Sequence, residues 1–174
     1  MNTASDLLLA RMTTHQDFPQ AGILFRDITP VLADARSLRV VVAEMIAPFV
    51  NQFDAIAGLE ARGFMLASAA ALEAGVGFLP IRKSGKLPGP VLRESFHLEY
   101  GDATFEMNAE LFEPGSRILI MDDVLATGGT ARAAVSLVER AGWEVAGISV
   151  AMELVELNGR QHISGQQIHS LLKL

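Results

Sequence analysis

The sequence predicts a single α/β domain over residues 1–174, with a twisted, mostly parallel β-sheet flanked by helices. Three observations support this fold class. A length of 174 residues suits one domain with one core. Half of the residues are apolar, which is enough to cover both faces of a sheet. From residue 55 onward, short apolar runs alternate with helical patterns, as is typical of parallel strands joined by helices.

The segment before residue 55 does not follow this alternation. Residues 5–12 have leucines at helical spacing after Ser5, a residue type that caps helices, and residues 37–50 carry an amphipathic stripe that a proline could end early. Between them, residues 18–30 combine proline and glycine with large apolar side chains, which is unusual for a simple connection. We expect this segment to cover another part of the molecule.

The alternating segment contains predicted strands at 55–58, 76–81, 117–121 and 145–152, predicted helices at 63–74 and 129–141, and a last edge strand at 168–172. Between residues 82 and 101 the alternation stops at a polar stretch with closely spaced glycines and prolines. Long excursions of this kind inside a compact domain are usually functional. We therefore predict a functional loop there.

Charge and composition exclude several classes of function. A net charge of −6 argues against general binding of nucleic acid, and the absence of cysteine excludes disulfides and thiolate catalysis. No apolar run reaches the ~18 residues of a membrane span, and the first residues lack the basic start of a signal peptide. The four histidines lack metal-ligand spacing. We expect a cytoplasmic protein that binds neither nucleic acid nor membrane and holds no transition metal itself.

Residues 118–131 form the motif with the clearest chemistry. An apolar strand ends in Asp122 and Asp123, whose carboxylates suit the vicinal hydroxyls of a ribose. Five small or hydroxyl-bearing residues then lead into a helix and can turn N–H groups toward a phosphate: Ala126, Thr127, Gly128, Gly129 and Thr130. Because the lysine of a P-loop is missing, a sugar 5-phosphate fits better than a triphosphate. The alternative interpretation is a tight turn with two helix-capping acids.

This motif resembles the phosphoribosyl pyrophosphate (PRPP) motif of the type I phosphoribosyltransferases. Three further stretches resemble the adenine-specific branch of that family: residues 18–30 its hood over the base, residues 58–64 its pyrophosphate loop, and residues 82–90 with 98–101 its mobile lid. The resemblance implies the type I phosphoribosyltransferase fold, with a small hood at about 15–33 and a lid at about 82–108. It also implies that adenine and PRPP react to give AMP and pyrophosphate.

The resemblance further implies roles for individual residues. Glu99 in the lid would act as general acid or base near the purine N7. The residues at the 5-phosphate and ribose of PRPP would be Asp122, Asp123, Ala126, Thr127, Gly128, Gly129 and Thr130. The residues at the pyrophosphate would be Glu60, Ala61, Arg62, Lys83 and Lys86, with a cis peptide between the first two. The residues at adenine would be Leu24, Phe25, Arg26 and Val124. Magnesium would come with PRPP, held by substrate oxygens and water rather than directly by the protein, and the family implies a homodimer.

Several alternatives stay open from the sequence. The base could be guanine, hypoxanthine or xanthine, although enzymes for those bases usually carry a C-terminal hood. The chain could be a PRPP-sensing regulator without turnover, against which its negative charge and Glu99 count. Glu99 could be one more solvated acid, and His97 is predicted to be a solvated loop residue. We predict that Trp143 lies in the core and that residues 153–160 are mostly structural, near the rim of the base pocket.

Overall fold

The computed structural model describes residues 3–98 and 101–174. It contains a seven-stranded sheet and a two-stranded sheet. Their strands are, in chain order, β1 (Thr13–Gln16), β2 (Leu24–Asp27), β3 (Ala55–Leu59), β4 (Gly77–Lys83), β5 (Leu92–Leu98), β6 (Gly101–Met107), β7 (Arg117–Leu125), β8 (Glu144–Glu153) and β9 (Ile168–Lys173). The main sheet has the order β5-β6-β4-β3-β7-β8-β9. Its last five strands in that order run parallel, whereas β5 and β6 form an antiparallel extension next to β4.

Helices cover both faces of the main sheet. In chain order they are α1 (Ala4–Arg11), α2 (Thr29–Leu32), α3 (Ala35–Ile46), α4 (Arg62–Ala74) and α5 (Gly129–Arg140), with 3-10 turns at Ala47–Phe49, Val155–Leu157 and Gly159–His162. One apolar cluster joins the sheet to α5, and a second joins it to α1, α3 and α4. The predicted fold class is therefore confirmed. Within the described ranges, no helix combines the length and apolar character needed to cross a membrane.

The apolar run before the acidic pair explains why β7 lies at the centre of the five parallel strands. Ile118, Leu119, Ile120 and Met121 are all fully buried, two in each apolar cluster. Because successive strand residues point to opposite faces, a continuous apolar run requires cover on both faces. Trp143, in the turn before β8, is also buried, as the sequence predicted.

The helix ends differ from the predicted ones by a few residues. Thr3 rather than Ser5 caps α1, because the Thr3 hydroxyl accepts the N–H of Asp6 while the Asp6 carboxylate accepts the N–H of Thr3. Asp34 caps α3, which therefore begins two residues earlier than predicted and ends at Ile46 before a 3-10 turn. Capping oxygens satisfy N–H groups that have no partner inside the helix, so they fix where each helix starts.

Two antiparallel hairpins were missed by the sequence analysis. β1 and β2 pair within the hood, and β5 and β6 pair within the predicted lid at about 82–108. The prediction of a loop from 82 to 101 was therefore wrong for about half of its length, where β4 continues to Lys83 and residues 92–98 form β5. Only one face of the second hairpin is apolar, where Phe96 and Phe105 are buried in the cluster around α5. Such short alternation next to several prolines and glycines is a weak strand signal.

A partly buried ion pair fixes the C-terminal part of the sheet. Arg160 donates to both carboxylate oxygens of Glu153, at 2.9 and 2.6 Å, and to the carbonyl of Ile168 at 2.9 Å. The Ser170 hydroxyl donates to the same carboxylate at 2.6 Å. The hydrogen bonds from Arg160 are the main reason why the pKa of Glu153 is lowered to about 2. This network agrees with the mostly structural role predicted for residues 153–160.

We expect the Arg160→Ala variant to lose about 2 kcal/mol of stability at neutral pH, because Glu153 would keep its charge with fewer partners. The loss should shrink as the pH falls toward 2. Because the pKa of Glu153 is lowered in the folded protein, the ionised carboxylate contributes to stability above its ordinary pKa of 4.5, and this contribution disappears when the carboxylate is protonated. Urea unfolding measures both effects. Arg11→Ala is the control: it breaks only the exposed pair with Asp34 and should cost less than about 1 kcal/mol. Equal losses in the two variants would contradict this account.

Candidate active site

Most of the predicted site residues gather at the carboxyl ends of the parallel strands β3 and β7. β3 is followed by the turn at residues 60–61 and by α4, and β7 is followed by residues 126–128 and by α5. In open α/β sheets this edge binds ligands, because the helices that follow direct their N-termini toward it. The topology therefore brings together two segments that lie more than sixty residues apart in sequence.

The acidic pair lies inside β7 rather than after it. Val124 and Leu125 continue to pair with β8, so the predicted strand end at residue 121 was wrong. Asp123 is only 4 % exposed, and its Oδ2 lies 2.8 Å from Nε of Arg62 at the start of α4. Strand pairing beyond the acids thus draws a carboxylate into the protein, where a cation compensates part of its charge.

Burial raises the pKa of both acidic side chains. For Asp122 the charge of Asp123 adds to the effect of burial, whereas for Asp123 the Arg62 guanidinium opposes it. The Asp122 carboxylate also accepts the N–H of Asp123 at 2.9 Å. A poorly hydrated acidic pair of this kind suits a ligand that brings its own hydrogen-bond donors, as sugar hydroxyls do.

A cavity of about 270 Å³ opens at the N-terminus of α5. It is lined by Thr127, Gly129, Arg132 and His162. Gly128, between the first two, has a φ of +86° and lies against the backbone of Gly159. The predicted phosphate loop therefore borders an open cavity at a helix N-terminus, which is the arrangement that its chemistry requires.

Arg132 and His162 were missed by the sequence analysis. Arg132 lies in the first turn of α5, and a basic residue at the positive end of a helix is a signal that could have indicated an anion there. His162 comes from the 3-10 turn after β8, and its Nδ1–H donates to the carbonyl of Thr127 at 3.1 Å. No local pattern in the sequence could have connected it with residue 127.

The hood forms a second cavity of about 130 Å³. Its lining residues are Ile23, Leu24, Phe25, Arg26, Arg62, Val124, Ala126, Met152 and Leu154. All four residues predicted at the base are thus brought together in one pocket. Leu154 comes from residues 153–160, which were predicted near the rim of this pocket, whereas the contribution of Met152 was not predicted. Phe25 is held by an edge contact with Phe18, with ring centroids 5.0 Å apart. The pocket is mainly apolar with a few polar groups, as expected for a flat heteroaromatic ligand.

Arg62 lies in the hood pocket rather than projecting freely from the pyrophosphate loop. Its guanidinium lies 4.7 Å from the ring centroid of Phe25, and its Nη1 donates to the carbonyl of Arg26 at 3.2 Å. Together with the ion pair to Asp123, these contacts connect the hood to β7. Its role at the pyrophosphate stays a prediction.

The pyrophosphate loop contains the cis peptide implied by the resemblance, between Glu60 and Ala61. The Glu60 carboxylate is directed toward the next strand, where it accepts the N–H of Lys83 at 2.9 Å and lies 3.4 Å from Nε of Arg82. Burial acts to raise the pKa of Glu60, but these hydrogen bonds and cations hold the pKa below its ordinary value. The side chain of Glu60 therefore joins two loops within the protein.

The remaining predicted residues belong to the lid. Lys83, the last residue of β4, and Lys86, in the turn that follows, are both exposed. Glu99 lies outside the described residues, and the side chain of His97 is not described either. The predictions for Glu99 and His97 therefore stay predictions.

Comparison with known proteins identifies a family. Residues 31–162 match the family model described as the phosphoribosyl transferase domain. Among curated proteins, the chain is 56 % identical to the adenine phosphoribosyltransferase of Clavibacter sepedonicus over 172 residues, which cover 99 % of this chain and 90 % of the relative. The relative from Renibacterium salmoninarum, with the same name, is 53 % identical over 92 % of this chain and 88 % of its own length.

Solved structures agree with the sequence relatives. The adenine phosphoribosyltransferase of Rhodothermus marinus superposes with a TM-score of 0.93 at 46 % identity, with 98 % of each chain covered. The enzyme of Saccharomyces cerevisiae, solved in complex with an imino-altritol bisphosphate and adenine, superposes with a TM-score of 0.91 at 34 % identity, covering 97 % of this chain and 98 % of the other.

Proposed function

Because this chain belongs to the phosphoribosyl transferase family, and within it to the adenine phosphoribosyltransferases, we propose that it converts adenine and PRPP to AMP and pyrophosphate in purine salvage. One observation carries the assignment of this reaction to the site. A single segment lines both cavities: Val124 and Ala126 face the hood pocket, while Thr127 and Gly129 face the cavity at α5. A base in the first cavity and a 5-phosphate in the second would leave the ribose beside the acidic pair that precedes this segment.

The hood pocket supports a purine as the acceptor. Phe25, Val124 and Leu154 supply apolar surface for the two faces of a flat ring. The backbone of residues 24–26 offers both donors and acceptors, which can distinguish an amino group from an oxo group at the purine edge. Arg62, on the pocket wall, adds a donor that could meet a ring nitrogen.

Catalysis would rest on positioning and charge. The reaction is displacement at the anomeric carbon, where a base nitrogen forms a bond as the bond to pyrophosphate breaks, through a transition state with cationic character on the sugar. Asp122 and Asp123 would hold the ribose close to this positive charge, and Lys83 and Lys86 would stabilise the departing pyrophosphate. Glu99 would exchange a proton with the base, as the resemblance implies.

The donor set near the acidic pair fits magnesium that comes with the substrate. Among the described residues, no three His, Cys, Asp or Glu side chains lie close enough to hold a metal together. Mg²⁺ keeps several waters and binds phosphate oxygens, so PRPP and water would hold it while Asp122 and Asp123 act on the sugar hydroxyls or through water. When bound, the ion supplies positive charge to the pyrophosphate group.

The first experiment measures pyrophosphate release by the purified chain with PRPP and magnesium. Parallel reactions contain adenine, hypoxanthine, guanine, xanthine, uracil or no base. Turnover with adenine alone is the expected result. Release with an oxopurine would overturn the base assignment. No pyrophosphate release with any base would favour a PRPP-binding regulator.

We expect Glu99→Gln to lower kcat about 100-fold with a smaller change in KM, because glutamine cannot exchange a proton with the base. Steady-state kinetics with adenine and PRPP measures this effect. Glu110→Gln, at an exposed position after β6, is the control and should leave kcat unchanged. A normal kcat in Glu99→Gln would show that this residue is only a solvated acid.

A homodimer and a cytoplasmic location are further parts of the proposal. Leu72 on α4 is 85 % exposed and Met65 on the same helix is 48 % exposed. Large apolar side chains at these exposures suit a surface covered by a second copy. Sedimentation of the purified chain tests the dimer directly.

A further inference from the structure

Glu106 is a charged side chain with no exposed surface. It lies on β6, directly opposite Arg82 of β4 on one side and Arg93 of β5 on the other. A carboxylate that is removed from water costs several kcal/mol unless hydrogen bonds and countercharges replace its hydration. The contacts that compensate this cost therefore indicate why the residue is there.

The compensation comes from the turn that carries the lid lysines. Oε1 of Glu106 accepts the N–H groups of Lys86 and Leu87, both at 2.7 Å. Burial acts to raise the pKa of Glu106, but hydrogen bonds from these two residues and from Gly85 outweigh burial and lower the pKa. Consecutive N–H groups that converge on one anion form an anion-binding nest, and here the anion belongs to the protein itself.

The turn is held on its other side as well. The carbonyl of Lys86 accepts from Nη1 of Arg82 at 3.2 Å, so both backbone polar groups of this lysine are bound. Arg82 in turn lies 3.4 Å from the carboxylate of Glu60, which also accepts the N–H of Lys83. A continuous series of contacts thus leads from the pyrophosphate loop to Glu106. Oε2 of Glu106 lies 3.3 Å from Nε of Arg93, which supplies a countercharge from the neighbouring strand.

We propose that Glu106 is a positioning residue for the pyrophosphate end of PRPP: it holds the Gly85–Leu87 turn so that the Lys83 and Lys86 side chains are directed toward the leaving group. This inference rests on the proposed function. Glu106 does not touch the substrate and acts through the backbone of the turn. Neither Glu106 nor the Gly85–Leu87 turn lines the hood pocket, so its effect should be specific for PRPP.

The test variant is Glu106→Gln, which keeps the shape of the side chain and removes its charge. Because charge-assisted hydrogen bonds are about twice as strong as neutral ones, KM for PRPP should rise about 10-fold. kcat should fall as well, because the two lysines also stabilise the departing pyrophosphate, whereas KM for adenine should change by less than about 2-fold. Glu113→Gln, an exposed acid outside the network, is the matched control. A merely structural role would lower the fraction of active enzyme. Apparent kcat would then fall equally whichever substrate is varied, with no change in KM for PRPP, and that result would overturn the proposal.

A double-mutant cycle tests whether Glu106 acts through the two lysines. In a background that carries both Lys83→Gln and Lys86→Gln, Glu106→Gln should raise KM for PRPP by less than about 2-fold, because the side chains that it positions have been removed. Full additivity of the two changes would contradict the proposal. Pyrophosphate release by the unmodified chain tests the proposed function separately, since a chain without turnover fails there before any variant is compared.

Hydrogen exchange keeps the proposal testable even if Glu106→Gln does not fold. In the unmodified chain, the amides of Lys86 and Leu87 should exchange at least about 10-fold more slowly than the amide of the exposed Gly89, although all three lie in the segment between β4 and β5. Fast exchange at Lys86 and Leu87 would show that the carboxylate does not hold the turn and would overturn the proposal.

Discussion

The Gly128→Ala variant is expected to lose at least about 1000-fold in kcat/KM for PRPP. Losses of this size are typical when N–H donors that are prearranged around an anion are displaced. Two independent features of this position produce the loss. The backbone has a φ of +86°, and a Cβ built there would run into the carbonyl oxygen of Gly159. Relief of that contact requires the loop to move away from the 3-10 turn that carries His162. Such a movement would displace the backbone that lines the 270 Å³ cavity.

Gly115→Ala is the matched control for backbone strain. Gly115 has a φ of +80°, close to that of Gly128, but a Cβ there would meet nothing within 4 Å. It should therefore lose about 1–2 kcal/mol of stability from the left-handed backbone conformation and keep full activity. Steady-state kinetics and urea unfolding of both variants separate strain from displacement. Activity of Gly128→Ala within about 10-fold of the unmodified chain would show that the loop after β7 does not hold the phosphate.

The central sheet could be predicted because its signals are local. The fully apolar run from Ile118 to Met121 indicates a strand covered on both faces, and the residues that follow carry a loop with evident phosphate chemistry. The end of β7 could not be predicted in the same way. Asp122 and Asp123 are polar, so a pattern of hydrophobicity ends the strand before them, whereas pairing with β8 continues it to Leu125.

The parts of the site that escaped prediction depend on contacts between distant segments. His162 reaches the predicted phosphate loop from a turn 35 residues away, and Arg62, at the start of α4, pairs with Asp123 on β7. In the sequence, Glu106 resembles an ordinary solvated acid in a polar segment, although the structure buries it fully. In each case the residue type is visible in the sequence but its partner is fixed only by the tertiary fold, and the partner determines the chemistry.

The two acids of β7 should respond in opposite ways to the same isosteric change. Asp122→Asn is expected to keep or raise the stability at neutral pH by about 1 kcal/mol, because it removes a partly buried charge next to another carboxylate. Its carbonyl oxygen can still accept the N–H of Asp123, as the carboxylate does. Asp123→Asn is expected to lose about 2 kcal/mol, because Arg62 would remain partly buried without its countercharge.

Activity should fall in both variants by about 100- to 1000-fold in kcat/KM, since either change removes negative charge beside the proposed position of the ribose. The combination of unchanged or higher stability with lost turnover in Asp122→Asn would show that this carboxylate is kept for chemistry rather than for folding. Kinetics with adenine and PRPP, together with urea unfolding of both variants, measures the two quantities. A destabilised Asp122→Asn with normal turnover would contradict the role of this residue at the sugar.

The pH dependence adds a test that does not need substrate. The pKa of Asp122 is raised in the folded protein, so the folded state binds its proton more tightly than the unfolded state does. Its ionised form therefore lowers stability above the folded pKa, and this penalty disappears as the pH falls to the ordinary value of 3.8. The stability difference between Asp122→Asn and the unmodified chain should consequently be largest at neutral pH and shrink on acidification. A difference that is constant with pH would mean that Asp122 has no raised pKa, and the stabilising effect of asparagine would then need another cause.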